Sequence, residues 1–190
     1  MSTAETPRAL IVFESMFGNT HKIALAIRDG LHDVINTELV RADQAPAEIP
    51  ADVRLLVVGG PTHAFSMSRR STRTQAAEQD QVMMPPEKGI REWLQELPDR
   101  TTPTVAATFD TRVTKVRRLP GSAARSAAKL LRHRDFELMV APASFFVHDM
   151  TGPVEQGELD RARAWGEELA AELRPMLRTV RPFRRQRWSA

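Results

Sequence analysis

The sequence predicts a single α/β domain in which helices cover both faces of a parallel sheet of five strands. Short, almost continuously apolar segments are typical of strands buried on both faces, and residues 8–14 and 53–59 are of this kind. Helical periodicity follows the apolar segments, so strand and helix alternate five times along the chain. Parallel neighbours require crossover connections of this kind, and 190 residues suit one domain.

The first half of the chain contains three predicted strands and one clear helix. After the strand at 8–14, the sequence Gly18-Asn19-Thr20 indicates a turn and a helix start. A weaker strand is predicted at 37–41 and the strongest one at 53–59. Residues 60–86 lack clear periodicity and are interpreted as a long loop, a feature that is often functional. The first helix is predicted from Ile23, Ile27, Leu31 and Val34.

The middle of the chain continues the alternation. A short helix is predicted at 90–97 and a strand at 104–109. Residues 110–120 are basic and irregular. The following helix begins with Ser122 as a plausible cap and continues to Leu131.

The last strand and helix complete the predicted domain. Residues 136–140 and 144–147 are interpreted as one strand interrupted at Pro142. The final helix is predicted to begin near Gln156, and Pro175 leaves the position of its C-terminal end undetermined. Its apolar stripe comprises Leu159, Ala162, Trp165, Leu169 and Leu173.

Composition restricts the chemistry. The chain has no cysteine, which excludes disulfides, thiolate metal sites and cysteine-ligated iron–sulfur clusters. Its five histidines show no metal-site spacing, so no metal is expected and redox chemistry would need an organic cofactor. No apolar run is long enough to cross a membrane, and the first residues carry no signal-peptide stretch. A cytoplasmic protein is therefore expected.

The positive net charge comes from the C-terminal end. Residues 174–190 hold six arginines and no acid, and the rest of the chain has 21 basic and 24 acidic residues. We divide the chain into a domain at 1–180 and a basic tail at 181–190. A solvated tail is favoured over one that contacts nucleic acid, anionic lipid or an acidic protein.

Residues 15–20 form the strongest candidate site. The loop Ser15-Met16-Phe17-Gly18-Asn19-Thr20 lies between a buried strand and a helix, with a hydroxyl at each end. A phosphate at such a turn would accept backbone N–H bonds and lie at the positive end of the helix dipole. A plain helix cap at Asn19 or Thr20 explains the residues equally well. The spacing matches neither a Walker A loop nor Gly-x-Gly-x-x-Gly.

Several segments resemble the flavodoxin family. Residues 10–24 are similar to the flavodoxin signature, in which a Ser/Thr-x-Thr-Gly-x-Thr loop surrounds the phosphate of flavin mononucleotide (FMN), and especially to the flavodoxin modules of flavodiiron proteins. Residues 58–63 resemble the second flavin loop, while 108–112 and 152–159 resemble flavodoxin-domain proteins of the actinobacterial type. The resemblance covers roughly 8–173. It implies a flavodoxin-like doubly wound sheet of order 2-1-3-4-5.

The resemblance also implies which residues bind FMN. The loop at 15–20 would hold the phosphate, with Phe17 acting through its backbone. Flavodoxins commonly stack a tyrosine on the ring, and this chain has none; His63, Phe65 and Phe109 are the aromatic candidates, and a packing role is favoured for Phe109. The implied cofactor-binding residues are Ser15, Met16, Phe17, Gly18, Asn19, Thr20, Pro61, Thr62, His63, Phe65, Phe109, Asp110 and Thr111.

Basic residues stand where carriers of this family tend to be acidic. Seven cations fall in the loops expected at the flavin edge. We interpret them as a rim that stabilises the anionic reduced flavin and attracts an acidic partner or a phosphorylated reductant. Ordinary solvated loop charge is the simpler explanation for any single one. The seven are Arg69, Arg70, Arg73, Arg112, Lys115, Arg117 and Arg118.

The expected function is an FMN-binding redox protein that carries electrons between partner proteins, since the loops show no substrate pocket and no catalytic residues. A pair formed by His148 and Asp149 is disfavoured because adjacent strand residues point in opposite directions. Two alternatives stay open. One is an NAD(P)H-dependent quinone or nitro-compound reductase. The other is a flavin-free interaction module that acts through its basic tail; nucleic-acid binding is not expected.

Overall fold

A computed structural model of the chain describes residues 6–63, 65–79 and 88–179. The predicted basic tail at 181–190 lies outside the described residues. The strands are β1 (Arg8–Phe13), β2 (Asn36–Arg41), β3 (Val53–His63), β4 (Ser66–Met67), β5 (Val105–Val113), β6 (Glu137–Leu138) and β7 (Ala143–Val147). The helices are α1 (Asn19–Leu31), α2 (Arg70–Gln79), α3 (Ile90–Glu96), α4 (Ala123–His133) and α5 (Glu158–Thr179), and a 3₁₀ turn covers Thr114–Val116.

The main sheet is parallel and has the predicted order. β2, β1, β3 and β5 lie side by side in that sequence. β6 and β7 both pair in parallel with β5, the first near its start and the second near its end, so together they form one interrupted fifth strand. The two-residue β4 turns back against the end of β3. A doubly wound sheet of order 2-1-3-4-5 is therefore confirmed.

Alternate residues of the sheet enter two separate hydrophobic clusters. On β1, Ile11 belongs to the cluster covered by α1 and α5, whereas Val12 belongs to the cluster covered by α3 and α4. Both side chains are fully buried, as expected for a strand with helices on both faces. The nearly continuous apolar run in the sequence follows from this burial.

Helices α1 and α5 cross at very short range. A Cβ atom added to Gly30 would lie 2.2 Å from the carbonyl oxygen of Arg163, and one added to Gly166 would lie 2.3 Å from that of Ile27. Only glycine permits such an approach at both positions. The crossing fixes α1, and with it the loop that leads into α1, against the longest helix of the described residues.

Two segments interpreted from the sequence as irregular contain strands and a helix, which corrects that interpretation. Residues 60–79 contain the end of β3, the strand β4 and the helix α2. α2 escaped prediction because it buries Arg73, Ala76 and Ala77 and has no large apolar residue on that face. Residues 110–113 continue β5, because all four pair with β7 and residues 110 and 111 also pair with β3.

The helix ends agree with the sequence at one point and differ at another. The Ser122 side chain accepts a hydrogen bond from the Arg125 amide at 3.1 Å, which confirms Ser122 as the cap of α4. α5 begins at Glu158 rather than near Gln156 and includes Pro175. No helix in the described ranges is long and apolar enough to span a bilayer.

Candidate functional site

A cavity of about 170 Å³ lies where β1, β3, β5 and β7 end. Doubly wound sheets bind ligands at this edge, beyond the carboxyl ends of their strands. Nine of the thirteen predicted residues line the cavity, namely residues 15–20 without Gly18, residues 61–63, and Thr111. Val113, Val147 and Met150 complete the lining and were not predicted.

The first turn of α1 faces the cavity without a side-chain cap. Gly18 stands at the cap position with a φ of 81°, and the first helical hydrogen bond runs from Lys22 N to Gly18 O at 3.0 Å. The amides of Asn19 and Thr20 find no acceptor among the described residues. These amides lie at the positive end of the helix dipole, so the turn offers donors to an anion.

The two hydroxyls at the ends of the loop each have one internal partner. Ser15 Oγ accepts a hydrogen bond from the His21 amide at 3.3 Å, and Thr20 Oγ1 lies 2.8 Å from Thr111 Oγ1. A hydroxyl has one donor and two acceptor sites. An accepted bond therefore leaves the Ser15 proton free to donate to a ligand. The Thr20 proton is equally free when Thr111 donates to Thr20.

The side chains of Thr62 on β3 and Asp110 on β5 form hydrogen bonds with the start of α4. Thr62 Oγ1 donates to Asp110 Oδ2 at 2.8 Å and accepts from the Ala123 amide at 2.9 Å. Asp110 Oδ2 also accepts from the Ala124 amide at 3.0 Å, and its carboxylate is fully buried. Asp110 was predicted to border the flavin ring. In the structure it lies outside the cavity lining and binds the start of α4, and the predicted flavin contact stays a prediction.

The predicted aromatic partners Phe109 and Phe65 lie outside the cavity lining. Phe109 is fully buried, and its ring contacts those of Phe145 and Trp165 edge to face, at centroid distances of 6.2 and 6.3 Å. Its place in the core agrees with the favoured packing role, and its contact with a flavin ring stays a prediction. Phe65 is half exposed and contacts Gly121 at the start of α4.

A buried polar network, absent from the sequence interpretation, holds the end of β1. Glu14 accepts from Ser68 Oγ at 2.5 Å and from the Ile90 amide at 3.0 Å. Arg73 donates to Ser68 Oγ at 2.8 Å and lies 3.2 Å from Glu92. Burial raises the pKa of Glu14, which the nearby Arg73 charge partly opposes. The position of Glu14 directly after an apolar strand was the available signal.

Among the described residues that line the cavity, His63 alone has a titratable side chain. Burial lowers the pKa of His63, and the positive charge of Arg73 lowers it further. The neutral imidazole is therefore favoured near pH 7, and it offers one donor and one acceptor nitrogen.

Two of the seven predicted rim cations are structural, which corrects that interpretation. Arg73 is 1% exposed within the network around Glu14. Arg112 is 9% exposed and donates to the carbonyl oxygens of Val116 and Leu119, so it holds the turn after β5. The other five cations are exposed. No group of three or more metal-ligating side chains occurs in the part of the chain that the structure describes.

Solved structures similar to this chain are flavodoxins and flavodiiron proteins. A flavodoxin from the domain Archaea superposes with a TM-score of 0.60 at 16% identity, covering 87% of this chain and 98% of the other. Oxidised flavodoxin 2 from Bacillus cereus gives 0.58 at 17% identity, covering 89% and 99%. The flavodiiron core from Synechocystis sp. PCC6803 gives 0.59 at 15% identity, covering 91% of this chain and 37% of that one.

These similarities establish the flavodoxin-like fold. No protein-family model and no curated protein matches the sequence. The predicted resemblance to flavodoxins and flavodiiron proteins is therefore confirmed at the level of the fold, while the predicted ligand residues stay predictions.

Proposed function

We propose that this flavodoxin-fold chain binds FMN at the cavity and carries electrons between partner proteins. The observation that supports the proposal best is the uncapped first turn of α1, which opens into a cavity at the ligand edge of the sheet. FMN supplies the redox chemistry when bound. The side chains and amides of the protein bind and orient it.

The residues at the first loop fit a phosphate. The amides of Asn19 and Thr20 and the hydroxyls of Ser15 and Thr20 are donors placed around one turn. A Cβ added to Gly18 would meet nothing within 4 Å, so the space beside the turn is open. The lining residues that the structure describes include no lysine, arginine, aspartate or glutamate. A dianion would therefore be held by neutral donors and by the helix dipole.

The remaining lining fits a flat, largely apolar ring. Val113, Val147 and Met150 lie on the side of the cavity formed by β5, β7 and the loop after β7. Met150 is 47% exposed, which leaves its thioether free to contact an aromatic ring at the mouth. His63 offers a neutral imidazole on the other side, and in our proposal these two residues replace the tyrosine that the chain lacks.

A carrier is favoured over an enzyme because no described residue of the lining is a charged acid that could protonate a substrate. His63 is the one titratable group there, and its lowered pKa keeps it neutral near pH 7. A protein that only passes electrons between partners needs no such group.

The absorption spectrum of the purified chain, before and after addition of FMN, tests this proposal. A bound-flavin spectrum that survives desalting, with no NADPH oxidation in the presence of several quinones and nitro compounds, supports a carrier. Sustained NADPH oxidation with one of them would replace the carrier by a reductase. Colourless protein that leaves FMN fluorescence unquenched would reject FMN binding.

A further inference from the structure

Four exposed cations lie beside the cavity mouth and are called the basic patch here: Lys115, Arg117, Arg118 and Arg125. The first three belong to the 3₁₀ turn that follows Val113 and to the residues directly after it, and Val113 lines the cavity. Arg125 lies in the first turn of α4, whose Ala123 amide bonds to Thr62 of the lining. The patch thus adjoins the cavity without forming part of it.

The patch cations have no acidic partner among the described residues, unlike many exposed arginines of this protein. Within the described ranges, none of the four side chains forms an ion pair. By contrast, Arg41 pairs with Asp43 at 2.7 Å, and Arg161 pairs with Glu158 at 2.5 Å. The sequence from 111 to 134 contains no acidic residue. Glu155 contacts the 3₁₀ turn through Thr114 at 2.8 Å but pairs with none of the four cations, whose shared sign projects a positive potential into the solvent.

Exposed apolar side chains accompany these charges. Phe65 is 50% exposed and Leu119 is 46% exposed. Leu119 directly follows Arg118 in the sequence, and the carbonyl oxygen of Phe65 lies only 2.4 Å from where a Gly121 Cβ would stand. The surface therefore combines apolar contacts with a cationic border, as protein interfaces do.

We propose that the basic patch, with Phe65 and Leu119, is a docking site for an acidic surface of a partner protein. The inference rests on the proposed function, because the patch would bring such a partner to the cavity mouth. The four cations complement an acidic surface, and the apolar pair gives it desolvated contacts. Charge complementarity at such a site raises the association rate most at low salt.

Two other polyanions fit this surface less well. A dinucleotide such as NADPH needs a recessed site, whereas the patch cations are exposed and lie outside the cavity lining. A long nucleic acid would extend over the rest of the domain, where acids outnumber bases, 24 to 17, when the four patch cations and residues 174–190 are left out. A protein with a local acidic surface avoids that repulsion.

The test compares two triple variants of equal charge. K115A/R117A/R118A removes three patch charges, and R163A/R174A/R178A removes three exposed cations of α5, which covers the other face of the sheet from α4. Binding of an acidic plant-type [2Fe–2S] ferredoxin is measured by calorimetry at low and moderate salt, with NADPH and a DNA duplex as comparison ligands. Circular dichroism confirms folding, and K115Q/R117Q/R118Q replaces the alanine variant if that fails to fold.

We expect ferredoxin binding that weakens with salt and a roughly tenfold loss in the patch variant, since exposed interfacial charges each contribute little. The control variant should lose less than about threefold, because it changes only the overall charge. Equal losses in both triples, no binding at low salt, or tighter patch-dependent binding of NADPH or DNA would overturn the proposal. Titration of the same variants with FMN tests the proposed function separately, since the patch residues lie outside the cavity that would bind FMN.

Discussion

Thr20 and Thr111 join the first turn of α1 to the end of β5, with their hydroxyl oxygens 2.8 Å apart in a buried contact. The residues are 91 positions apart in the sequence, yet both line the same cavity. Thr111 can donate to Thr20 and so leave the Thr20 proton for a ligand. The phosphate site proposed for the first loop therefore depends on a residue near the end of β5.

The substitution T111V should weaken FMN binding by about tenfold or more. It removes a buried hydroxyl that orients Thr20, and hydrogen bonds to charged groups contribute about 1.5–3 kcal/mol. Fluorescence quenching of FMN measures the change. T37V serves as the control, because Thr37 bonds to the Ile35 carbonyl on β2, away from the cavity. Equal affinities for T111V and the unmodified protein would show that the threonine pair does not shape the site.

A pair of glycines allows stability to be separated from binding. Gly18 and Gly157 both have a φ of 81°, and an added Cβ would meet nothing within 4 Å at either position. G18A and G157A should each cost about 1–2 kcal/mol of unfolding free energy, since both impose a left-handed backbone on alanine. Denaturant unfolding measures this cost. Only G18A should also weaken FMN binding, and an equal loss of affinity in G157A would contradict the proposed role of the first loop.

The buried Glu14 should give the protein a recognisable pH dependence. Its raised pKa means that the folded state binds a proton more tightly than the unfolded chain, in which the pKa stays near 4.5. The unfolding free energy relative to E14Q should therefore increase as the pH falls through the elevated pKa towards 4.5, and then level off.

Urea unfolding of the wild type and E14Q across this pH window measures the difference. E137Q on the exposed Glu137 controls for the loss of one surface charge. If the difference in unfolding free energy between the wild type and E14Q is independent of pH, or decreases as the pH falls, burial is not the main influence on the pKa of Glu14.

Removal of Arg73 should destabilise the protein and raise the pKa of His63. R73M removes the buried guanidinium that pairs with Glu92 and donates to Ser68, and removing one partner of a buried pair costs about 3–5 kcal/mol. The pKa of His63 should rise towards 6.5, because one of the two causes that lower it is gone. Thermal unfolding and NMR titration of the His63 ring measure the two effects. R70M, on an exposed arginine of the same helix, should produce neither, and a His63 titration that is identical in R73M would refute the coupling.

Most of the sheet could be predicted because its strands are buried on both faces. β1 and β3 show this as continuous apolar runs, and the alternation with helices determines the parallel arrangement. The first loop was recognisable because its glycine and hydroxyls sit between a strand and a helix. Five residues of this loop line the cavity, and the other four predicted residues that do so, Pro61, Thr62, His63 and Thr111, came from the resemblance to flavodoxins.

The remaining features depend on contacts that leave no apolar pattern. α2 buries Arg73 instead of a large apolar residue, since the acids that surround it come from β1 and α3. β5 continues through the polar residues Asp110 and Arg112, because their partners are the start of α4 and the following turn. Such partners are distant in the sequence or belong to the main chain, so charge alone wrongly indicated exposed loops.

The comparison of FMN with riboflavin tests the phosphate site most directly, because the two ligands differ only by the phosphate group. Both are titrated into the flavin-free full chain by fluorescence quenching, with inorganic phosphate as competitor. The donors around Ser15, Asn19 and Thr20 predict that FMN binds at least about a hundredfold more tightly than riboflavin, since several charge-assisted hydrogen bonds are lost together, and that phosphate weakens FMN binding. Equal affinities for the two flavins, or no binding of either, would contradict the account.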